Sequence, residues 1–408
     1  MRHSEEEEEE EEEALDDWFI DSLKTYTDLH VYELEQATRV LEWTSQTTVC
    51  VAGFSASKNQ ILELSLPLRL LAQQNKGLCA ERDFKVVHGG FSDTPIHSFK
   101  HIPGTRCAVS SGGQSCSLLL WDLGGDDTDV IKRTGQIKVK CESSAGRDGE
   151  DGADGGDRED REVGAEWSRG RQMAAPPSQS SEPRILHGAT TNDVQLTDIN
   201  TGKQLYTIQE VITPVQCQSP SPVSTSSGDG AFVCGSVNGS VLEADSRSPA
   251  PPTCHPAPSV RSPAPTSSAP WSMDACGGLV VRSRASGQTV VSDLRRMDSC
   301  VAQALVSASD GKNRGSLNVS WSPALQHHIA LSGVSGLVQI HNTSLWGAEL
   351  QAAHAQFEHR GHVVSSPEDD VITTSHAWHP ERPRTLLSAA SDASVHVWDW
   401  NHQSESSE

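Results

Sequence analysis

The sequence predicts an all-β protein: a single closed, seven-bladed β-propeller with a short N-terminal helix and disordered acidic and Ser/Pro-rich loops. Three observations carry this. The unit Gly361 to Trp400 opens on Gly361-His362 and closes on Trp398-Asp399, 36 residues from His to Trp, and this Gly-His to Trp-Asp frame marks one propeller blade. The same strand–turn–strand unit recurs along the chain, and 408 residues accommodate seven blades at roughly 40 to 45 residues each. Finally, the alternating strand 29–34 has no blade of its own, while only eight polar residues follow Trp400. Both deficits vanish if 29–34 is the outer strand of the last blade and closes the ring, which removes an open sheet edge.

In chain order, residues 1–13 include nine consecutive glutamates, Glu5 to Glu13, which repel one another and predict a disordered acidic tail. An amphipathic helix is expected over 14–28, because Leu15, Trp18, Phe19, Leu23 and Tyr26 recur at three- and four-residue spacing. Its apolar face either packs on the body or docks a partner through Trp18 and Phe19. The propeller then runs over 29–400, and 401–408 is a disordered tail.

Six units precede the last. They are Thr38 to Leu66, Ile96 to Leu123, Arg184 to Gly202, Val211 to Arg247, Trp271 to Arg295 and Leu317 to Asn342, each with alternating apolar strands. The second keeps Trp121-Asp122, with Ser111 ten residues before Trp121, as Ser388 stands ten before Trp398. Disordered inserts are expected near 141–183 and 246–270. The first hides the opening strand of the third blade near Trp167. The second, rich in Ser, Pro and Ala, reads as an extruded loop rather than a strand, since Pro has no amide to donate. Ser219 to Gly230 is a smaller interruption of that kind.

The formal charge is −23, but Glu5 to Glu13 and Cys141 to Glu166 together carry −16 of it. The remainder is mildly acidic and lacks the basic face of a direct nucleic-acid binder. Ten cysteines without a Cys-x-x-Cys pair suggest reduced thiols, and no apolar segment suggests a signal peptide or membrane span.

Catalytic signals are absent from this reading. Ser55-Ala-Ser-Lys58 has a Ser-x-x-Lys spacing without the accompanying motifs, so it reads as a turn. His354, His359 and His362 are close in sequence, but His362 already belongs to the blade frame, and no metal or other cofactor is expected. In the last blade, His362 (or His376), Ser388, Asp392 and Trp398 are expected to form a buried hydrogen-bond relay, with Trp121-Asp122 its counterpart in the second. The candidate partner-binding stretch is Ala80 to Asp93, read as a loop between the first two blades. It supplies Arg82, Phe84, Lys85 and Phe91, the alternative being that the phenylalanines plug the core. His379 to Arg384 is a second, basic turn, with Arg382 and Arg384.

The Gly-His and Trp-Asp frame resembles the WD40-repeat propellers. Several segments narrow the resemblance to the family of WD repeat-containing protein 73: Glu81 to Val86, His88 to Asp93, Trp378-His379-Pro380, Arg382 to Ser388 and Asp392 to Trp400, with Asp16 to Tyr26, Ala37 to Trp43 and Leu66 to Leu70. The glutamate run, the acidic insert and the Ser/Pro insert depart from it. The resemblance implies a non-enzymatic adaptor, cytoplasmic and at spindle poles and the cytoskeleton in mitosis, that is a monomer outside its complexes. Its implied role is to help assemble the RNA endonuclease module of the Integrator complex, a snRNA-processing machine, by holding the endonuclease subunit pair with its assembly cofactors. The alternative it implies is regulation of microtubules at the mitotic spindle. Net negative charge disfavours direct binding to acidic tubulin.

Overall fold

The computed structural model describes residues 22, 24–53, 59–66, 84–112, 117–139, 171–175, 183–189, 193–208, 217–221, 230–258, 270–307, 317–333, 335–365 and 371–401. These form seven antiparallel sheets arranged as a seven-bladed propeller. Blade one holds strands Thr38–Trp43, Thr48–Gly53, Asn59–Ser65 and Lys85–Ser92, and blade two Ser98–His101, Cys107–Ser111, Ser117–Asp122 and Lys132–Lys138. Blade three is Gln172–Ala174, Arg184–Gly188, Gln195–Asp198 and Gln204–Thr207, and blade four Cys217–Ser221, Ala231–Ser236, Val241–Asp245 and Thr253–His255. Blade five is Trp271–Cys276, Leu279–Arg284, Gln288–Asp293 and Ala302–Val306, with Gln351–Ala353 added in parallel outside them. Blade six is Asn318–Trp321, His328–Ser332, Val338–Asn342 and Phe357–His359, and blade seven Thr373–Trp378, Thr385–Ala390 and Ser394–Trp400.

The outer strand of blade seven comes from the other end of the chain. Tyr26–Glu33 lies antiparallel on Ser394–Trp400, with Leu29 opposite Trp398 and Val31 opposite His396. The ring therefore closes by pairing the two ends, as the two sequence deficits require.

Four expectations need correction. The closing strand begins at Tyr26, not 29. Tyr26 leaves the helical pattern because its ring packs edge-on against Phe357 and Trp398; Ser22, Lys24 and Thr25 are helical, and the rest of the expected 14–28 helix lies outside the described residues except Tyr26 to Asp28, which are strand. Thr253–His255, inside the stretch read as an extruded loop, pairs with Val241–Glu243 as the outer strand of blade four. Three residues between Pro252 and Pro256 suffice there, because an outermost strand needs amides on one side only. Cys217–Ser221 is likewise a strand that runs into the expected interruption. Lys85–Ser92, read as part of a loop, is the outer strand of blade one, paired with Asn59–Ser65. In the first insert, Gln172–Ala174 is the hidden opening strand, just after Trp167, which is itself outside the described residues.

The core is seven cores. Each cluster of buried apolar residues spans two neighbouring blades: Val40 and Ile61 meet Phe99 and Trp121 between blades one and two, and Ala330 and Ile340 meet Leu386 and Trp398 between six and seven. The innermost strands surround a polar cavity of about 420 Å³, lined by residues such as Arg39, His97, Gln172, Ser272, Asn318 and Thr374. Among the described residues, no helix is long and apolar enough to cross a membrane.

Candidate functional site: polar relays and rim surfaces

Blade seven brings its predicted residues together. The Trp398 indole Nε1–H donates to Ser388 Oγ at 3.2 Å, and His362 Nε2 lies 2.8 Å from the same oxygen. On the other side, His362 Nδ1 is 2.7 Å from Ser394 Oγ, which donates to Asp392 Oδ1 at 2.6 Å. Proton roles follow from the ends. Indole only donates and carboxylate only accepts, so Ser394 Oγ accepts from His362 Nδ1–H, and Ser388 O–H donates to Nε2. The chain then runs one way, from Trp398 through Ser388, His362 and Ser394 to Asp392. It requires a neutral imidazole, and burial, reinforced by His396 and His359, holds the His362 pKa well below its usual value. His376 is not in this relay. Its nitrogens face Ser320 Oγ and Ser332 Oγ of blade six, both at 2.6 Å, and burial lowers its pKa to about 4.

In blade two, Trp121 Nε1–H donates to Ser110 Oγ at 2.8 Å, not to Ser111, whose hydroxyl donates to the Arg171 carbonyl of blade three. Register explains the correction. Ser388 lies opposite His396, two residues before Trp398, and Ser110 lies opposite Leu119, two before Trp121. The blade-two hairpin is one residue longer, so equal sequence spacing picks the wrong serine. Asp122 takes no part in this bond; it accepts from Gly124 N at 3.1 Å.

The same register locates relays that sequence reading missed. In blade three His187, opposite Gln195, holds the serine position, and Thr197 holds that of the tryptophan. Arg171 donates to His187 Nδ1 at 3.0 Å and to Asp193 at 2.5 Å, so His187 Nε2–H donates to Thr197 Oγ1 at 2.9 Å. Burial and the Arg171 charge push the His187 pKa down to about 3. In blade five Arg282, opposite Val290, takes the serine position and Ser292 that of the tryptophan. Arg282 is buried and donates to Ser292 Oγ at 2.7 Å and to the Gly239 carbonyl of blade four at 3.0 Å. Gly239 has φ +88 and lies flat against Trp271, where a Cβ would collide with the ring. The available signal was a charged residue inside an apolar strand, as with Glu63 in blade one.

Glu63 is 1% exposed. Arg106 clamps its two oxygens at 2.9 and 2.6 Å, Thr44 Oγ1 donates at 2.6 Å, and His88 Nδ1 lies at 2.6 Å. Burial alone would raise this carboxyl, but the Arg106 pair with the Thr44 and His88 bonds overcomes it and holds the pKa at about 2.

Buried His359, His362 and His396 bring three ring nitrogens within 4.8 Å of one another. His354, the third residue of the sequence-adjacent trio, is exposed instead. His362 and His396 stack at 3.8 Å and 17°, so their in-plane lone pairs run side by side rather than converging as metal ligands do. His359 Nε2 faces His396 Nδ1 at 3.0 Å, and its Nδ1 faces the Tyr26 hydroxyl at 2.8 Å. These nitrogens are used to seat the closing strand.

Of the candidate partner residues, Phe84 is buried against Tyr32 at 5.6 Å and is a core plug, not a contact surface. Phe91, near one end of the outer strand, is 64% exposed, and Lys85 is exposed at the other end. Arg382 and Arg384 are half-buried near Asp399, whose pKa is raised by burial and by Asp28 and pulled back by the two arginines. Trp18, Phe19 and Arg82 lie outside the described residues.

No protein-family model matches the chain. It is similar to a Danio rerio protein named Integrator complex assembly factor WDR73, 41% identical over 405 residues that cover 94% of this chain and 96% of the relative. Proteins of the same name from Xenopus laevis and Homo sapiens are 36% and 35% identical, each over 94% of this chain and 97% of their own length.

Proposed function

From the premise that this chain belongs to the WDR73 family, we propose that it is a non-enzymatic scaffold that helps assemble the RNA endonuclease module of the Integrator complex in the cytoplasm. The observation that carries this reading is the assembly-factor name shared by relatives that align over 94% of the chain. The chemistry of the folded body supports it. Buried His359, His362 and His376, Glu63 and Arg282 are engaged in hydrogen bonds that join strands or neighbouring blades, and a rigid ring with many rim loops suits holding proteins rather than transforming a substrate. The partners in this reading are the endonuclease subunit pair and its assembly cofactors.

The test is reconstitution. The purified full chain is mixed with the recombinant Integrator endonuclease pair and run on size exclusion, with a microtubule co-pelleting assay in parallel. Co-elution in fixed stoichiometry, with the chain absent from the pellet, is the expected result. Salt-sensitive pelleting with purified tubulin and no co-elution would replace this reading with a microtubule-linked one.

A further inference from the structure

The seam between blades four and five holds two arginines that the fold leaves without a counter-charge. Five arginines elsewhere, Arg106, Arg171, Arg247, Arg295 and Arg360, each hold a carboxylate oxygen at 2.5 to 2.7 Å. Among the described residues Arg282 and Arg284 form no ion pair. Arg282 donates to Ser292 Oγ and to the Gly239 and Pro256 carbonyls, and Arg284 donates to Gln288 Oε1, so every acceptor is neutral. Two residues apart on one strand, the two arginines share a face of the sheet, roughly 7 Å from each other along it. Arg282 lies opposite Met273 and Arg284 opposite Trp271, whose ring the Arg284 guanidinium covers at 5.0 Å.

Unused donors gather in the same place. Arg282 Nε, Arg284 Nε and Gln288 Nε2 are buried atoms with no hydrogen-bond partner, and Arg282 and Gln288 are only 1% and 2% exposed. Unpaired buried donors are costly, the more so on a charged group, and three in one seam call for an acceptor. The walls do not supply one. Gly239 lies flat on the Trp271 ring, and its carbonyl is already taken by Arg282. Burial pushes the Arg282 pKa down to about 10, and no carboxylate acts to restore it.

The complementary group is an oxyanion. Two positive charges and donors from three side chains match a phosphate, with up to two negative charges and three terminal oxygens. A carboxylate brings half that charge and one oxygen fewer. The planar fork of arginine also suits phosphate geometry. Arg284 is the way in: it is half-buried next to the exposed turn residue Ser286, with Arg282 and Gln288 behind it. To turn its Nε edge toward an incoming phosphate, Arg284 releases Gln288 Oε1. One hydrogen bond to a neutral amide is then exchanged for charge-assisted ones, which are stronger.

We propose that Arg284, Gln288 and Arg282 form a phosphate-binding site in the seam between blades four and five, for free phosphate or for a phosphoserine carried by a protein. It goes beyond the scaffold reading and does not depend on it.

The experiment uses the full chain in phosphate-free buffer at about 0.15 M salt, where a Debye length of about 8 Å screens the distant acidic runs. The melting midpoint is followed against sodium phosphate, and against sodium chloride at equal ionic strength, since a ligand of the folded state raises it. Anisotropy measures the binding of a labelled Gly-Ser peptide with one phosphoserine, with its unphosphorylated and glutamate versions as comparisons. The proteins are wild type, Arg284→Met, Arg284→Lys, Arg282→Met and, as control, Arg295→Met, which removes an exposed arginine already clasped by Asp293. Phosphate should raise the midpoint of wild type and of Arg295→Met alike. Its affinity should fall about tenfold or more in Arg284→Met and Arg282→Met, each of which loses charged hydrogen bonds. Arg284→Lys should fall between, keeping the charge without the fork; it carries the comparison if Arg284→Met does not fold. Tighter binding of the phosphoserine peptide than of free phosphate assigns the site to a modified protein, and equal binding assigns it to the ion; either result upholds the site. An effect reproduced by chloride, equal binding of the glutamate peptide, or wild-type phosphate affinity in the Arg284 variants would overturn it.

Discussion

Blades seven and five solve the same packing problem with opposite chemistry. In blade seven a large indole, Trp398, reaches across the hairpin to a small hydroxyl, Ser388, and passes the hydrogen-bond chain to neutral His362. In blade five the sizes are exchanged: the long cation Arg282 stands in the serine position and reaches a hydroxyl, Ser292, where the tryptophan would be. Each pair fills the space between two strands and is joined across it by one hydrogen bond. The difference lies in the charge left inside. Blade seven buries neutral rings; blade five buries a guanidinium whose hydrogen bonds among the described residues run to a hydroxyl and to the carbonyls of Gly239 and Pro256, with its Nε left without a partner there. A blade can therefore lose its recognisable residues and keep its register, because what the fold demands is filled volume and a hydrogen bond across the hairpin.

Acid should separate the two most strongly. The pKa values of His376 and His396 are lowered to about 4 and that of His187 to about 3, with burial the leading cause, and those of His359 and His362 lie well below the usual value. The unfolded chain takes up these protons near pH ~6.5, while the folded imidazoles refuse them. Their contribution is thus complete above about pH 6.5 and is lost as the pH falls toward about 4, on the order of several kcal/mol in all. Glu63, held at about 2, contributes a separate loss at lower pH. Blade five has no histidine in its described strands. Amide exchange at pH 5 should accordingly rise in Thr385–Trp400 and Arg184–Asp198 before Leu279–Asp293. Uniform protection across the three would show that the histidines do not set the acid limit.

Trp398→Ala comes next. The indole is fully buried among Ala330, Ile340, Leu386 and Trp400, and its removal should cost about 3–5 kcal/mol, read as a lower urea midpoint. A parent-like midpoint would mean that blade seven does not depend on its relay. Ser110→Ala is a smaller perturbation of the same bond in blade two. It leaves the Trp121 N–H buried without its acceptor, at a cost of roughly 1–3 kcal/mol. The same change at Ser111 should leave the Trp121 near-ultraviolet signal untouched; if instead Ser111→Ala alters it and Ser110→Ala does not, the register drawn here is off by one.

That pair of serines shows where sequence reading reaches its limit. The Gly361-His362 to Trp398-Asp399 frame names the blade, and the unmatched strand near 29–34 anticipates ring closure, because both are local patterns in one stretch of chain. Equal spacing before Trp121 and Trp398 misleads, because hairpin length enters the register and spacing does not report it. Thr253–His255 is invisible among prolines since its only credential is a neighbour, Val241–Glu243. The buried contacts of Glu63 with Arg106 and of His359 with His396 join residues 43 and 37 positions apart, so they become readable only once blades are set side by side. Phe84 and Phe91 look alike in sequence; one is buried and the other exposed because they stand at opposite ends of an edge strand whose glycines uncover the second.

Arg282→Met tests the exchange most directly, and with the smallest expected change. Methionine matches the length of the side chain and adapts to an irregular space. It removes the cost of holding a cation away from water, a burial that drags the Arg282 pKa down to about 10. Against this, the Ser292 hydroxyl and the Gly239 carbonyl lose their donor. Replacing a buried charge by an apolar side chain of similar volume is often neutral or mildly stabilising, so the midpoint should move by no more than about 1 kcal/mol in either direction, whereas Arg282→Ala, which leaves the volume empty, should lose about 2–4 kcal/mol. If methionine is as damaging as alanine, the charge itself ties blade five to blade four through the Gly239 turn, and Arg282 is a strut between blades rather than a stand-in for the missing tryptophan.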